Sequence, residues 1–89
     1  MPHRYSTAEV TAALERIGIR FLRQRGSHLR YQGTFRGRER NVTLVAGQRQ
    51  IPPRTLSSIL KQAGLTAEEL SRLVAGIDER LEAGLHELG

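Results

Sequence analysis

The chain has 89 residues, which is enough for one domain with a single modest hydrophobic core. It contains no cysteine, which excludes a disulfide framework and a thiolate zinc site. No apolar run approaches the ~20 residues of a membrane span, and the first residues lack the apolar stretch of a secretory signal. We therefore expect a cytoplasmic protein, and no spacing of ligand residues predicts a metal or a cofactor.

Charge is unevenly distributed along the chain. Residues 1–61 carry 12 basic and 3 acidic residues, a balance of +9, whereas residues 62–89 carry 2 and 6, a balance of −4. All but one of the basic residues are arginine, whose planar guanidinium can hold a phosphate with two hydrogen bonds. A GC-rich genome would explain the choice of arginine over lysine equally well, but the excess of charge remains. It predicts an anionic partner, and favours nucleic acid over a membrane surface.

The first predicted element is a helix from about Thr7 to Ile17. Residues 6–9 read Ser-Thr-Ala-Glu, a capping box in which serine and glutamate bond each other's backbone N–H groups. Gly18 is suited to end the helix in a left-handed conformation. One helical face carries the apolar residues Val10, Ala13, Leu14 and Ile17.

Three strand-like runs follow, at residues 19–25, 28–35 and 39–45. Gly26-Ser27 and Arg36-Gly37-Arg38 are short enough to form hairpin turns between them. The sequence therefore predicts a three-stranded antiparallel meander. In the second run the two-residue period places Leu29 and Tyr31 on one face, and on the other face His28, Arg30 and Gln32.

Two further helices are predicted after a loop. The first begins at Pro52-Pro53, because proline fits a first helical turn, and ends at Gly64. A second capping box, Thr66 to Glu69, opens a third helix. Its apolar stripe continues across two glycines and comprises Leu70, Leu73, Val74, Ile77, Leu81, Leu85 and Leu88.

This order of elements predicts an α+β domain, α-β-β-β-α, with two helices on one face of an antiparallel sheet and an extra C-terminal helix. The other face of the sheet is left open to solvent or to a partner. We place the main domain at residues 1–65 and an amphipathic helical extension at residues 66–89. The stripe of the extension is equally suited to pack on its own domain or on a partner, including a second copy in a homodimer.

Three segments carry a resemblance to a known family: Ala13–Gly18 (ALERIG), Arg23–His28 (RQRGSH) followed by Tyr31, and Thr55–Leu65 (TLSSILKQAGL). Together they make residues 6–70 resemble the HicA family of bacterial toxins, also called YcfA-like proteins. The resemblance implies a double-stranded-RNA-binding-like fold. It also implies a ribonuclease toxin that cleaves mRNA and is neutralised by an antitoxin of the HicB kind. The family's essential histidine would be His28.

The chemistry of the motif agrees with RNA cleavage. Histidine is the one side chain whose unperturbed pKa lies near neutral pH, so His28 could accept the proton of a ribose 2′-hydroxyl. The phosphate would be held by its neighbours Arg23, Arg25 and Arg30. One histidine cannot act as acid and base in the same step. A second group is therefore needed, for which the candidates are Ser27, Tyr31 and an arginine.

Two other functions are consistent with the same residues. One is a non-catalytic RNA-binding module of the same fold, in which His28 is a plain hairpin residue. The other is a protein-interaction module that depends on the helical stripe, with the arginines forming an ordinary solvent-exposed face. A serine hydrolase is disfavoured, because Gly26-Ser27-His28 lacks the strand-to-helix turn of a nucleophile elbow.

Overall fold

A computed structural model describes residues 4–76, which form three helices and one three-stranded sheet. The predicted α+β order, α-β-β-β-α with a further helix, is confirmed. No helix among the described residues is long and apolar enough to cross a membrane. The elements are α1 (Thr7–Arg16), β1 (Arg20–Arg25), β2 (His28–Phe35), β3 (Arg38–Val45), α2 (Pro53–Ala63) and α3 (Ala67–Ala75).

Helix α1 begins at the predicted capping box. The Ser6 hydroxyl accepts a hydrogen bond from the Glu9 backbone N–H at 3.1 Å, and the Glu9 carboxylate accepts one from the Ser6 N–H at 2.9 Å. The pair satisfies two backbone donors that have no partner within the helix. The helix therefore starts where the sequence predicts.

The sheet is an antiparallel meander in the order β1-β2-β3. The β2–β3 turn uses Arg36 and Gly37, both with positive φ (55° and 74°), as a two-residue type I′ turn requires. The face that meets the helices carries large buried side chains, including Tyr31, Phe35, Val42 and Leu44. These pack with α1 and α2 residues such as Leu14 and Ile59 in one core.

Gly33 of β2 lies close against the backbone of Gly18 and Ile19, which follow α1. A Cβ atom added at this position would lie 2.1 Å from the Gly18 carbonyl oxygen and 2.8 Å from the Ile19 Cα. Both are backbone atoms, so no side-chain rotation can relieve the overlap. Glycine is required here by space and not by its own φ.

We expect Gly33→Ala to destabilise the protein by roughly 1–3 kcal/mol or more, because β2 must move away from residues 18–19. Urea unfolding followed by circular dichroism measures the change. Thr34→Ala is the matched control, since Thr34 is the exposed neighbour on the same strand, and it should change stability by less than about 0.5 kcal/mol. Equal unfolding midpoints for Gly33→Ala and the parent chain would contradict the packing argument.

Helix α3 is shorter than predicted. The prediction of one helix running through Gly76 is wrong: α3 ends at Ala75, and Gly76 takes a left-handed conformation (φ 72°). The Gly76 N–H bonds back to the helix carbonyls, and Arg16 of α1 donates to the Leu73 carbonyl at 2.9 Å. The part of the predicted stripe beyond Gly76, and with it the homodimer contact, lies outside the described residues.

The described part of α3 belongs to the same core as the rest of the domain. Leu70 and Leu73 are fully buried in one cluster with the α1 residues Val10 and Ala13. Within residues 4–76, α3 and the main domain therefore share one hydrophobic core.

An ion pair joins the β2–β3 turn to the start of α3. The Arg36 guanidinium donates to both carboxylate oxygens of Glu69, and also to the Gly64 carbonyl at 3.2 Å. It stands over the Phe35 ring, 4.9 Å from the ring centroid. These contacts compensate the left-handed backbone of Arg36, a conformation that non-glycine residues seldom adopt.

The same pair predicts an acid-dependent loss of stability. The hydrogen bond from Arg36 holds the pKa of Glu69 below its usual value and raises the pKa of Arg36. A carboxyl with a depressed folded-state pKa stabilises the fold above its unfolded pKa, and this contribution is lost as the pH falls through the folded value. We expect a coupling of about 0.5–1 kcal/mol near pH 7, small because the pair is partly exposed.

A double-mutant cycle with Arg36→Gln and Glu69→Gln measures this coupling from urea unfolding at several pH values. It should be present at pH 7 and fall toward zero below the pKa of Glu69. A coupling that is the same at pH 7 and at pH 2 would show that the contact is not ionic in origin.

Candidate nucleic-acid interface

The Gly26-Ser27 turn sets the position of His28. Gly26 has φ +60°, the conformation that a two-residue type II′ hairpin turn places at its first central residue. The Ser27 carbonyl accepts a 2.7 Å hydrogen bond from the Ala46 N–H, and the Gly26 carbonyl accepts one from the Gln24 side chain at 2.8 Å. The turn is therefore tied both to β1 and to the end of β3.

His28 is the first residue of the central strand. Its backbone lies between Arg25 of β1 and Val45 of β3 in the two ladders. The Val45 carbonyl in turn accepts a 2.7 Å hydrogen bond from the hydroxyl of Thr7, which is buried at the start of α1. A side chain that stands on a strand paired on both sides is held in a defined place.

A β-bulge in β1 brings the arginines to the same face as His28. Phe21 is paired with Tyr31, but the next paired residue is Arg23, opposite Arg30, so Leu22 is extra. Because paired residues share a face, Arg23 and Arg25 stand with Arg30 and His28. Without the extra residue, strict alternation would place Arg20 on one face of β1 and these two arginines on the other.

These side chains surround an open depression on the face of the sheet opposite the described helices. Its volume is about 320 Å³, and it is lined by Arg23, Arg25, His28, Leu29, Arg30 and Thr43. No acidic residue lines it. Arg23, Arg25 and Arg30 form no ion pair with any residue of the described part of the chain, and His28 is exposed to solvent. The depression therefore presents positive charge that no carboxylate of residues 4–76 compensates, beside an exposed histidine.

The two predicted auxiliary residues occupy different places. Ser27 is exposed in the turn next to His28. Tyr31 is only 6% exposed and lies on the helix-facing side, where its ring meets the Phe21 ring edge-on at 5.8 Å. The structure therefore does not bring Tyr31 to the depression, whereas Ser27 stays at its border.

Thr43 lines the depression but was not among the predicted site residues. It is paired with Arg30 across β2 and β3. The signal for it was present in the sequence, because Asn41, Thr43 and Val45 alternate with the core residues Val42 and Leu44. Thr43 is exposed, and its hydroxyl adds a hydrogen-bond donor and acceptor to a site with three arginines.

The arrangement suits an anionic ligand with a repeating backbone. Three guanidinium groups can each hold a phosphate oxygen with charge-assisted hydrogen bonds, and the open shape admits an extended chain instead of enclosing a small molecule. Residues 4–76 contain no group of three or more histidine, cysteine, aspartate or glutamate side chains that could hold a metal ion.

Comparison with known proteins gives one family. The search of curated proteins finds no significant match. The model of a family described as the HicA toxin of bacterial toxin-antitoxin systems matches residues 7–65, about two thirds of the chain. This match covers α1, the whole sheet and α2, including every residue that lines the depression. The chain therefore belongs to the HicA toxin family.

Proposed function

We propose that this toxin is a metal-independent endoribonuclease that cleaves mRNA, with His28 as its general base. The observation that carries the proposal is the exposed imidazole of His28 beside three arginines that pair with no described carboxylate. Family membership supports the toxin role. The chemistry is argued from the site.

In the proposed reaction RNA supplies its own nucleophile. His28 takes the proton of a ribose 2′-hydroxyl, and that oxygen attacks the adjacent phosphorus. The bond from phosphorus to the 5′-oxygen breaks, and the leaving oxygen takes a proton from a second group. The products are a 2′,3′-cyclic phosphate and a free 5′-hydroxyl.

The arginines have two tasks in this step. They hold the scissile phosphate against His28, and they stabilise the extra negative charge that the phosphoryl oxygens develop in the transition state. Ser27 and the arginines remain the candidates for the second proton-transfer group, since Tyr31 lies on the other side of the sheet.

The proposed partners follow from the same surface and from the family. RNA is the substrate, bound through phosphate and shape more than through base stacking, because the residues that line the depression include no phenylalanine, tyrosine or tryptophan. An antitoxin of the HicB kind would hold the toxin inactive. An mRNA substrate would place the protein in the cytoplasm.

The direct test compares two RNA oligonucleotides of one sequence in EDTA, one natural and one fully 2′-O-methylated. We expect the purified chain to cleave the natural RNA, leaving cyclic phosphate ends, and to bind the methylated copy without cleaving it. Cleavage of the methylated copy would show that the ribose hydroxyl is not the nucleophile. Binding of natural RNA that stays intact would favour the non-catalytic RNA-binding module.

A further inference from the structure

Among the described residues, no strand pairs with the outer edge of β1. Strand β1 lies at the end of the sheet order, and all six of its residues are exposed. In a strand with a single neighbour, alternate N–H and C=O groups point away from the sheet. Such a row is a template for another strand.

The opposite edge of the sheet is different. Helix α2 packs against β3, and the outward N–H of Thr43 donates to the Gln62 side chain at 3.0 Å. Of the two edges formed by the described residues, β1 is therefore the one that leaves its backbone available.

The open edge also carries apolar surface. Phe21 and Leu22 are 52% and 49% exposed, and they are the exposed large hydrophobic residues of the described chain. Phe21 stands on the helix-facing side of β1, where its ring meets Tyr31. An incoming strand that carried an apolar side chain on this side would bury the outer face of Phe21.

The other side of β1 is cationic. Three arginines of β1 stand on the open face of the sheet, because each is paired with a β2 residue of that face. The pairs are Arg20 with Gln32, Arg23 with Arg30, and Arg25 with His28. A second copy of this chain, paired through the same edge, would set these arginines against their equivalents and be repelled. An incoming strand with acidic side chains on this face would be attracted instead.

We propose that the β1 edge binds an extended segment of a partner protein in which acidic and apolar residues alternate, as a fourth strand of the sheet. Backbone hydrogen bonds supply the attachment. The acidic side chains face Arg20, Arg23 and Arg25, and the apolar side chains cover Phe21. This inference does not depend on RNA cleavage.

The experiment uses the full ¹⁵N-labelled chain and an acetylated, amidated peptide of alternating glutamate and valine. Two further peptides carry backbone N-methyl groups, one on every valine and the other on every glutamate. A docked strand turns one of these two sets of N–H groups toward β1. We therefore expect one methylated peptide to bind like the parent and the other at least tenfold more weakly, with amide shifts concentrated in β1.

Variants of the chain locate the contact. Arg20→Glu and Leu22→Glu should each weaken binding of the parent peptide at least tenfold. Arg54→Glu is the matched control for Arg20→Glu, because it makes the same charge change at an exposed position of α2, and it should leave binding nearly unchanged. Amide spectra of all three variants check that the fold is intact.

Four results would overturn the proposal. The parent peptide could fail to bind at millimolar concentration. Both methylated peptides could bind as well as the parent, which would mean that the peptide is held by its charge and not by backbone hydrogen bonds to β1. The β1 amides could instead be protected by self-association of the chain, which sedimentation detects. They could also be protected by an RNA oligonucleotide and not by the peptide, which would make the edge part of the RNA site.

Discussion

Replacing His28 with alanine is expected to slow RNA cleavage by about 10²–10⁴-fold, the usual contribution of a general acid or base. The variant should lower the rate at which bound RNA is cleaved and leave RNA affinity unchanged, because the guanidinium groups that hold the phosphate remain. A single-turnover assay with excess protein measures that rate directly, and a 2′-O-methylated RNA measures affinity without cleavage.

The same variant should keep the fold. His28 is exposed, and its backbone pairs with both neighbouring strands whatever the side chain is. An exposed substitution of this kind typically changes the free energy of unfolding by less than about 0.5 kcal/mol. A loss of activity with an unchanged unfolding midpoint therefore assigns the effect to the imidazole.

Thr34→Ala is the control on the same strand. Thr34 is exposed and lies six residues from His28, about 20 Å along an extended strand, so its removal should leave the rate of cleavage unchanged. His28→Gln adds a second comparison, since it keeps a polar side chain that cannot accept a proton at neutral pH. Full activity in either His28 variant would remove His28 from the mechanism.

The parts of the fold that sequence reasoning predicts are local. Capping boxes at Ser6 and Thr66 place the starts of α1 and α3, because cap and partner are three residues apart. The hairpin turns at Gly26 and Gly37 are equally local, and the alternation in β2 and β3 then fixes which side chains face the core. These short-range signals place His28 and Arg30 on one face of the sheet before any tertiary contact is considered.

The bulge in β1 cannot be predicted from such short-range signals. Phe21-Leu22-Arg23 has no clean alternation, and the residue that becomes extra is decided by pairing with β2 and by the burial of Ile19, which precedes the strand. The candidate arginines were predicted by their proximity to the motif, but their shared face depends on the bulge. A one-residue shift in the pairing of β1 with β2 therefore decides whether Arg23 and Arg25 lie on the same face as His28.

The end of α3 has both a local and a long-range cause. The apolar pattern continues across Gly76, so the sequence favoured one long helix. In the structure Arg16, 57 residues earlier in the chain, donates to the Leu73 carbonyl in the last turn of α3. Gly76 is itself a local signal for this end, because its left-handed conformation lets its N–H bond back to the Arg72 and Leu73 carbonyls. The contact from Arg16 adds a donor from another element, and only this second contribution is invisible within residues 66–89.

Removing the three arginines of the depression should weaken RNA binding on the order of 10²-fold, if each phosphate contact contributes about 1 kcal/mol. The triple variant is Arg23→Gln, Arg25→Gln and Arg30→Gln. Because these groups form no ion pair with described residues, their loss leaves no carboxylate of residues 4–76 without its partner. Fluorescence anisotropy with a 2′-O-methylated RNA measures affinity without cleavage.

The salt dependence separates contact from general attraction. For single-stranded nucleic acid the slope of log affinity against log salt is about −0.7 for each phosphate neutralised, so losing three contacts should make it about 2 units shallower. The matched control removes the same charge elsewhere: Arg38→Gln, Arg54→Gln and Lys61→Gln are exposed positions at the far turn and on α2. The control should leave the slope nearly unchanged. Equal salt-dependence slopes for the two triple variants would show that RNA binding depends on the net charge of the domain. RNA would then not bind specifically at the open face of the sheet.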